Sequence, residues 1–401
     1  MRNIPPIVAL EIGTTKVRVL VGETREDGQL MITGLGEIPS RGVRKSEIVD
    51  IDIALASVRS ALELAEESGP VSIHQVHLLL SGGHLECMVN RGSAPVLDES
   101  GEIAYEDIDH CMDTARAVSL PAERVPVHTI CQRFDIDDHH TVVSPVGMEG
   151  SKLSVDMLLL HGVRGRLRNT VKVARSVPVE VHDVAFGGLC AGLGVLTPEQ
   201  KEKGVLLVDL GGGTTDYVVY ARNAIAWAGS IAVGGDHITN DVARGLRIAS
   251  GQAEQLKESF GDALVDFTVR SQKIAVPAVV GAPDHFVSLY DLHTIIHLRM
   301  EETLEMIKAK LERQDLLHLL GSSAVLVGGG SYLKNVDILA QKVFGMPCII
   351  GKPFNVSGLA TVTDGPQYAA PVGMLRYGVS THEKEAEGGV LKNMLRTIFR
   401  K

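Results

Sequence analysis

The feature that most constrains this chain is a hydrophobic strand that ends in an acidic residue and runs directly into glycines and threonines. Residues 205–216 read Val-Leu-Leu-Val-Asp-Leu-Gly-Gly-Gly-Thr-Thr-Asp. Glycines that follow a buried strand can take positive φ and expose their backbone N–H groups, so the loop makes a concave nest that suits phosphate. Asp209, at the end of the strand, is placed to hold Mg²⁺ through water.

The same design occurs at two further places. Residues 7–16 read Ile-Val-Ala-Leu-Glu-Ile-Gly-Thr-Thr-Lys, with Glu11 as the acid, and residues 324–331 read Ala-Val-Leu-Val-Gly-Gly-Gly-Ser without an acid. One such loop is weak evidence, because three glycines after a strand are often only a hairpin turn. The glycine spacing of a dinucleotide site and the Gly-Lys-Ser/Thr ending of a Walker loop are both missing. The repetition favours three parts of one site over three unrelated turns.

Composition narrows the class of protein. A chain of 401 residues with 42 glycines and 45% hydrophobic residues suits an α/β protein of two or more domains. The net charge of −10 argues against general nucleic-acid binding. Five cysteines without a Cys-x-x-Cys pair fit a reducing cytoplasm and give no metal cluster. We expect no signal peptide and no membrane span, because the first strand begins at once and no run of 18 apolar residues occurs.

Two stretches between the phosphate loops resemble insertions. Residues 83–163 carry an apolar pattern of their own and no phosphate loop, which favours an interaction module over a catalytic one. Its apolar positions are Ile108, Cys111, Met112 and Ala115 on one helix face and Leu153, Val155, Met157 and Leu159 along a strand. Within it, His139 and His140 follow three aspartates, and we expect a solvated turn because the spacing is not that of metal ligands. The second stretch covers residues 235–289.

The end of the chain has a different character. Residues 379–389 are polar and are predicted to be a flexible linker. Residues 390–401 then alternate pairs of apolar and polar side chains, so one face of a helix would be apolar and the other cationic. The apolar positions are Val390, Leu391, Met394, Leu395, Ile398 and Phe399, and the cations are Lys392, Arg396, Arg400 and Lys401. We expect a membrane-binding amphipathic helix, and the alternative is a solvated helical end or one docked on its own core.

Several motifs together resemble the FtsA family of bacterial cell division proteins, within the actin-like ATPase superfamily, over nearly the whole chain. They are residues 10–17 (Leu-Glu-Ile-Gly-Thr-Thr-Lys-Val), 39–42 (Pro-Ser-Arg-Gly), 80–84 (Leu-Ser-Gly-Gly-His), 209–216, 233–241 (Val-Gly-Gly-Asp-His-Ile-Thr-Asn-Asp) and 355–359 (Asn-Val-Ser-Gly-Leu). The resemblance implies an α/β, actin-like two-domain fold with duplicated ribonuclease H-like halves. The implied subdomains are IA at residues 1–82, 164–197 and 355–378, IC at 83–163, IIA at 198–234 and 290–354, and IIB at 235–289.

The resemblance also implies that ATP and Mg²⁺ lie between the halves, with Glu11 and Asp209 as the acids associated with the metal. The implied phosphate-loop residues are Gly13, Thr14, Thr15 and Lys16 in the first half and Gly212, Gly213, Thr214 and Thr215 in the second. The implied adenosine contacts are Gly329, Gly330, Glu254 and Lys257. From the spacing alone, Glu254 and Lys257 could equally be an exposed pair one helical turn apart.

The implied partners are FtsZ, whose C-terminal peptide would dock on IIB, further copies of this chain in head-to-tail filaments through IC, anionic lipids and other division proteins. The implied place is the cytoplasmic face of the cell membrane at the division site.

Two departures from the family pattern matter. Gly187 or Gly188 stands where actin has a water-positioning glutamine, so hydrolysis is expected to be slow or absent. Residues 279–285 lack the arginines associated with that part of IIB. The alternatives are a pilus-type membrane adaptor and an ATP-dependent kinase or chaperone of the same fold.

Overall fold

The computed structural model describes residues 5–25, 28–69, 71–276, 285–359 and 364–386. In chain order the elements are β1 (Ile7–Ile12), β2 (Lys16–Thr24), β3 (Leu30–Pro39), β4 (Val43–Arg44), β5 (Glu47–Ile48), α1 (Ile51–Ser68), β6 (Gln75–Leu80), β7 (Glu86–Pro95), α2 (Tyr105–Arg116), β8 (Arg124–Ile136), β9 (His140–Val142), β10 (Lys152–Val163), α3 (Arg164–Arg175), β11 (Glu180–Phe186), α4 (Gly187–Val195), α5 (Pro198–Lys203), β12 (Val205–Leu210), β13 (Thr215–Ala221), β14 (Ala224–Ile231), α6 (Gly235–Leu246), α7 (Ser250–Phe260), β15 (Lys273–Ala275), β16 (Phe286–Ser288), α8 (Leu289–Arg313), β17 (Ala324–Val327), α9 (Val336–Phe344), β18 (Cys348–Ile350), β19 (Val356–Gly358) and α10 (Ala369–Ala386).

Two sheets that share a five-strand topology make up the centre of the protein, and the first has one further strand, β19, which pairs with β3. The first has the order β11-β6-β1-β2-β3-β19 and the second β14-β13-β12-β17-β18. In each, three consecutive strands pair antiparallel, and two later strands add in parallel beside the first of the three. The two acid-bearing loops follow β1 and β12, which hold equivalent positions in the two sheets. The chain is therefore a structural duplication, as the family resemblance implied.

The insertion at residues 83–163 contains a separate small sheet. Its strands have the order β7-β10-β8-β9, and α2 packs against this sheet. The predicted apolar positions Cys111, Ala115, Leu153 and Val155 lie in a hydrophobic cluster of its own, with Ile108 packed against that cluster. The predicted turn is present as well, since Asp137 and Asp138 have positive φ and His139 and His140 are exposed.

The central strand of the second sheet is buried on both faces, which explains its continuous apolar sequence. Val205 and Leu207 point into the core shared with the first half, whereas Leu206 and Val208 point into the core of the second half. A strand covered on both faces holds the residue at its carboxyl end in a fixed place. That residue is Asp209, the predicted metal-associated acid.

The last helix corrects one prediction. Residues 379–389 were expected to be a flexible linker, but α10 continues to Ala386. Two polar side chains there have partners on their own helix: the hydroxyls of Ser380 and Thr381 both donate to the backbone oxygen of Tyr377 (2.9 Å each), and Thr381 is 6% exposed. One turn earlier, the Tyr377 hydroxyl donates to Asp183 of β11 (3.0 Å). Residues 387–401, which include the rest of the predicted linker and the predicted amphipathic helix, lie outside the described residues.

Close backbone contacts fix the first turns of α10 against α4. A Cβ at Gly373 would lie 1.6 Å from the backbone oxygen of Cys190, and one at Gly194 would lie 2.2 Å from that of Ala369. Neither position accepts a side chain, so the two helices cross at van der Waals distance. Among the described residues, no helix is both long and apolar enough to cross a membrane.

Candidate functional site

The two acid-bearing loops are built alike. The backbone N–H of Gly13 donates to the oxygen of Lys16 (3.0 Å), and that of Gly211 donates to the oxygen of Thr214 (3.0 Å). Each bond closes a tight turn between antiparallel strands, so each loop is held at the end of a buried hairpin. The tight turn is present in both halves, but its glycines do not take the positive φ that the sequence suggested; in the three loops only Gly328 does.

The two loops, from opposite halves, are in direct contact. A Cβ at Gly212 would lie 2.4 Å from Cγ2 of Thr15, and one at Gly213 would lie 2.3 Å from Oγ1 of Thr14. Ser46 joins the loops, since its N–H donates to Thr14 Oγ1 (2.8 Å) and its hydroxyl lies 3.0 Å from Thr214 Oγ1. The glycines are thus required for the halves to approach each other at this point.

The third glycine loop lies against the second. Gly328 has φ of +83°, and a Cβ there would lie 2.2 Å from Asp209 Oδ1. Gly330 packs on Leu210, since a Cβ at Gly330 would lie 2.8 Å from the Leu210 Cβ. All three loops follow the carboxyl ends of β1, β12 and β17, where ligands bind in open α/β sheets.

The loops surround a small chamber that adjoins a larger pocket. The chamber has a volume of about 90 Å³ and the pocket one of about 980 Å³, and Thr15, Lys16, Gly212 and Gly329 line both. The remaining predicted residues of the chamber are Glu11, Gly13, Thr14, Asp209, Gly213 and Thr214, and those of the pocket are Thr215, Glu254, Lys257 and Gly330. The structure therefore brings every sequence-predicted nucleotide-site residue into one continuous space.

Three carboxylates, Glu11, Asp209 and Asp216, line the chamber together with the cations Lys16 and Arg18. Burial raises the pKa of Asp209 well above its ordinary value, and the charges of Asp216 and Glu11 raise it further. Asp209 nevertheless has some surface exposed to the chamber. Burial also raises the pKa of Asp216 to about 6, although the Ser81 hydroxyl donates to both of its oxygens (2.9 and 2.8 Å). Carboxylates, hydroxyls and backbone oxygens around a polar chamber are the donors that suit Mg²⁺.

An ion-pair network that the sequence analysis missed holds Glu11 in place. Arg18 contacts Glu11 at 3.0 Å and Glu37 at 2.7 Å, and Lys16 contacts Glu37 at 3.3 Å. Burial opposes the charge on Arg18, but the two glutamates attract it and raise its pKa above the ordinary value. The pairing of the strands explains this network, since Arg18 on β2 lies directly opposite Glu11 on β1 and Glu37 on β3.

Glu254 and Lys257 face the pocket and are not an exposed surface pair. The Lys257 ammonium donates to Glu254 (2.7 Å) and to the hydroxyl of Thr239 (2.9 Å), and the Lys257 side chain is 15% exposed. The backbone oxygen of Gly235 accepts from the Thr239 hydroxyl (3.1 Å) and from the Lys257 ammonium (3.3 Å). These contacts join α7 to the glycine-rich turn at the start of α6.

Ser81 and Gly187 were not predicted as binding residues, and the duplication could have found the first of them. Ser81 follows β6 as Gly328 follows β17, so each lies at the equivalent strand end of its half. Gly187 lines the chamber, and a Cβ there would lie 3.3 Å from Asp216 Oδ2. No side chain is present at that position to orient a water molecule.

Comparison with known proteins gives a consistent result. The family model described as cell division protein FtsA matches residues 206–373, and one described as an SHS2 domain inserted in FtsA matches residues 82–161. The cell division protein FtsA of Pseudomonas aeruginosa is 34% identical over 382 residues, covering 95% of this chain and 90% of that protein. FtsA of Escherichia coli K12 is 33% identical over 383 residues, with 94% and 91% covered.

Solved structures confirm the predicted actin-like fold. The PilM-PilN complex of type IV pilus biogenesis has a TM-score of 0.66 at 16% identity, covering 93% of this chain and 98% of that chain. MreB5 of Spiroplasma citri bound to ADP has a TM-score of 0.56 at 16% identity, with 96% and 99% covered. At this identity the likeness concerns the fold alone.

Proposed function

The chain belongs to the FtsA family of cell division proteins, and from this premise we propose that it is an ATP-binding, actin-like scaffold that polymerises and holds FtsZ filaments at the cell membrane. The observation that carries the proposal is the pair of phosphate loops, one from each half, that meet around a chamber lined by Glu11, Asp209 and Asp216. A phosphate chain in this chamber would lie beside Asp209 and Asp216, and a divalent cation bound there would offset the repulsion.

The proposed nucleotide lies with its phosphates in the chamber and its adenosine in the larger pocket. The backbone N–H groups of the two loops and the Lys16 ammonium would bind the phosphates, and Asp209 would hold Mg²⁺ through water. Glu254, Lys257 and the loop at Gly329 would bind the adenosine. The pocket volume of about 980 Å³ is that of a site for a ligand of this size. Spiroplasma citri MreB5, a protein of the same fold, has been solved bound to ADP and to AMPPNP.

We propose that hydrolysis is slow or absent. Gly187 has no side chain to orient an attacking water, and the carboxylate of its neighbour Asp216 accepts a hydrogen bond from the Ser81 hydroxyl. ATP would then act as a structural ligand that holds the two halves together and permits polymerisation. The acids Glu11 and Asp209 would serve the metal and not a catalytic base.

Polymerisation is proposed to involve the insertion at residues 83–163. It has its own hydrophobic cluster and contributes no residue to the nucleotide chamber. Its surface carries large apolar side chains that the described residues leave exposed: Val143 is 94% exposed, Tyr105 72% and Leu97 65%. Apolar side chains exposed on one small module fit a contact with the next copy in a filament.

The FtsZ peptide is proposed to dock on the unit at residues 235–289. Phe267 is 68% exposed, with the Tyr290 ring 5.8 Å away and the Arg270 guanidinium 5.7 Å from the ring centroid. An exposed aromatic pair beside a cation suits a peptide that is acidic and partly apolar. The neighbouring residues 277–284 lie outside the described residues.

Membrane attachment is proposed for residues 390–401, which also lie outside the described residues. Twelve residues give roughly 18 Å of helix, which is short of the ~30 Å hydrocarbon core, so the segment would lie in the interface. Six apolar side chains gain up to about 1.5–3 kcal/mol each on full burial, and the four cations add up to ~1 kcal/mol each at an anionic surface. Helix ordering opposes this by roughly 1–2 kcal/mol per residue, so one tail is marginal and a filament gains avidity.

The nucleotide site is tested by replacing its metal-associated acid. Asp209→Ala should weaken Mg²⁺-dependent ATP binding at least tenfold in a titration calorimeter, because the cation loses its protein anchor. Asp315→Ala, at an almost fully exposed acid on the surface, is the matched control and should bind as the parent does. Equal affinity of the Asp209 variant and the parent would remove the site.

The alternative functions have less support. A pilus-type adaptor is supported only by likeness of fold to PilM-PilN at 16% identity, whereas the division proteins match at 33–34% identity over nearly the whole chain. A kinase needs a catalytic base facing a substrate cleft, and the described acids of the chamber are paired with Arg18 or Ser81 or buried beside the metal position.

A further inference from the structure

Three histidines from separate parts of the chain meet on the first sheet, away from the nucleotide chamber. His77 lies on β6, His182 on β11 and His382 near the end of α10. The rings of His182 and His382 stack at 4.9 Å and 11°, and the His77 ring is 5.0 Å from the first and 5.8 Å from the second. One ring nitrogen of each lies within 4.8 Å of the corresponding nitrogen of the other two.

His77 is the unusual member of this cluster. It is 1% exposed, and neither of its ring nitrogens has a hydrogen-bond partner. The backbone of Val8 lies close enough to influence the pKa of His77 but makes no hydrogen bond of normal geometry. The helix covers the ring, since a Cβ at Gly378 would lie 3.2 Å from His77 Nε2. A buried polar group left without a partner costs about 1–3 kcal/mol, and such groups call for a ligand to explain them.

Packing alone is a poor explanation for this arrangement. Burial and the two neighbouring imidazoles disfavour a charge on the His77 ring and lower its pKa to about 3. Three imidazoles whose nitrogens converge on one point are a common ligand set of Zn²⁺, with the fourth position open to water. Metal–nitrogen bonds of about 2.0–2.1 Å place tetrahedral nitrogens roughly 3.3 Å apart, so the rings need to close by about 1.5 Å at most.

We propose that His77, His182 and His382 bind a divalent transition metal of the Zn²⁺ type, and that this ion fastens the end of α10 to the first sheet. Two of the ligands come from neighbouring strands and one from the helix, so binding joins elements that are far apart in sequence. His77 is four residues before Ser81, which is about 13 Å along the strand, so this site is separate from the chamber.

The location gives the metal a defined consequence. His382 is four residues before the last described residue of α10, and residues 387–401 follow it. An ion that joins His382 to β6 and β11 fixes the end of α10 on the first sheet. Metal binding is therefore expected to protect the last turns of α10 from local unfolding.

The test uses the full-length chain without a histidine tag, stripped with a chelator and titrated with Co²⁺ in the absence of nucleotide. The parent should take up one ion per chain with the strong visible absorption of tetrahedral nitrogen-ligated Co²⁺, and Zn²⁺ should displace it. Ions held by the carboxylates of the chamber are distinguished because octahedral oxygen ligation absorbs only weakly.

His182→Gln and His382→Gln are the informative variants, because both side chains are only partly buried and both proteins should fold. Each should weaken binding at least 100-fold, whereas His139→Gln, on the exposed turn of the insertion, should bind as the parent does. The absence of a tetrahedral spectrum in the parent, or the parent's affinity in His382→Gln, would overturn the site.

Hydrogen exchange measured with and without Zn²⁺ tests the role of the ion. Amides of residues 377–386 should exchange at least tenfold more slowly when Zn²⁺ is present in the parent, and at the same rate in His382→Gln. Metal uptake without added protection of α10 would overturn the proposal that the ion fastens the helix.

Discussion

Replacing Asp216 by Asn should stabilise the ligand-free protein, although Asp216 lies in the proposed binding site. Burial raises the pKa of this carboxyl from 3.8 to about 6 in the folded protein. A shift of about 2 units corresponds to roughly 3 kcal/mol of cost to the free energy of folding once the group is ionised. Asn has the same shape and still accepts a hydrogen bond from Ser81. Because its acceptor is uncharged, this hydrogen bond is weaker, and the stabilisation is reduced by roughly 1 kcal/mol.

The sign of the pH dependence follows from the raised pKa. The folded state binds the proton more tightly than the unfolded state, so the cost is absent below about pH 4, grows as the pH rises towards 6 and is constant above that. Asn does not titrate. The advantage of Asp216→Asn over the parent should therefore increase with pH, by roughly 1.5 kcal/mol between pH 5 and pH 8.

Urea denaturation of both proteins at about pH 5, 6, 7 and 8, without nucleotide or Mg²⁺, measures this difference. Asp315→Asn on the surface is the control and should follow the parent at every pH. ATP with Mg²⁺ at 100 times its Kd should stabilise the parent by about 2.7 kcal/mol and the variant by less. A variant whose advantage is flat or falls as the pH rises would refute the electrostatic reasoning.

Two further predictions concern the interaction surfaces. Val143→Glu should abolish filaments on a lipid monolayer, as seen by electron microscopy, and retain ATP binding, because it puts a charge into the proposed contact. Leu64→Glu, at an exposed position on α1, is the control and should form filaments as the parent does. Filaments formed by Val143→Glu would contradict the assignment. Phe267→Ala should weaken binding of the FtsZ C-terminal peptide at least tenfold in fluorescence anisotropy, since the aromatic face beside Arg270 is lost. Tyr105→Ala on the insertion should leave peptide binding unchanged, and equal affinity of the Phe267 variant would mean a different docking surface.

Local sequence signals were enough to predict the loops that form the site. Strand, acid, glycine and threonine follow each other within ten residues, and glycine is the only residue type that allows the contact of Gly213 with Thr14. The repetition of that signal indicated that the loops belong to one site, and the duplication seen in the two sheets was implied by the family resemblance. The separate core of the insertion followed from the helical spacing of Cys111 and Ala115, which is again a local pattern.

Features that depend on tertiary neighbours could not be predicted in this way. Polar residues near Ser380 look like a linker in the sequence, but Tyr377 and Thr381 find partners on the sheet and on their own helix, so α10 continues. Spacing alone could not separate a surface pair from a pocket wall at Glu254 and Lys257, because only the packing of α7 beside α6 decides it. The convergence of His77 with two distant histidines has no local signal at all.

The central claim is that this chain carries FtsZ to membranes in an ATP-dependent manner, and one co-sedimentation experiment tests it most directly. FtsZ filaments are mixed with vesicles containing anionic lipid, with or without this protein and ATP, and the FtsZ in the pellet is measured. The account predicts that FtsZ pellets only when the protein and ATP are both present, and that Phe399→Glu abolishes this because an anion then occupies the apolar face of the tail. FtsZ that stays in the supernatant with the parent protein, or that pellets equally with Phe399→Glu, would contradict the account.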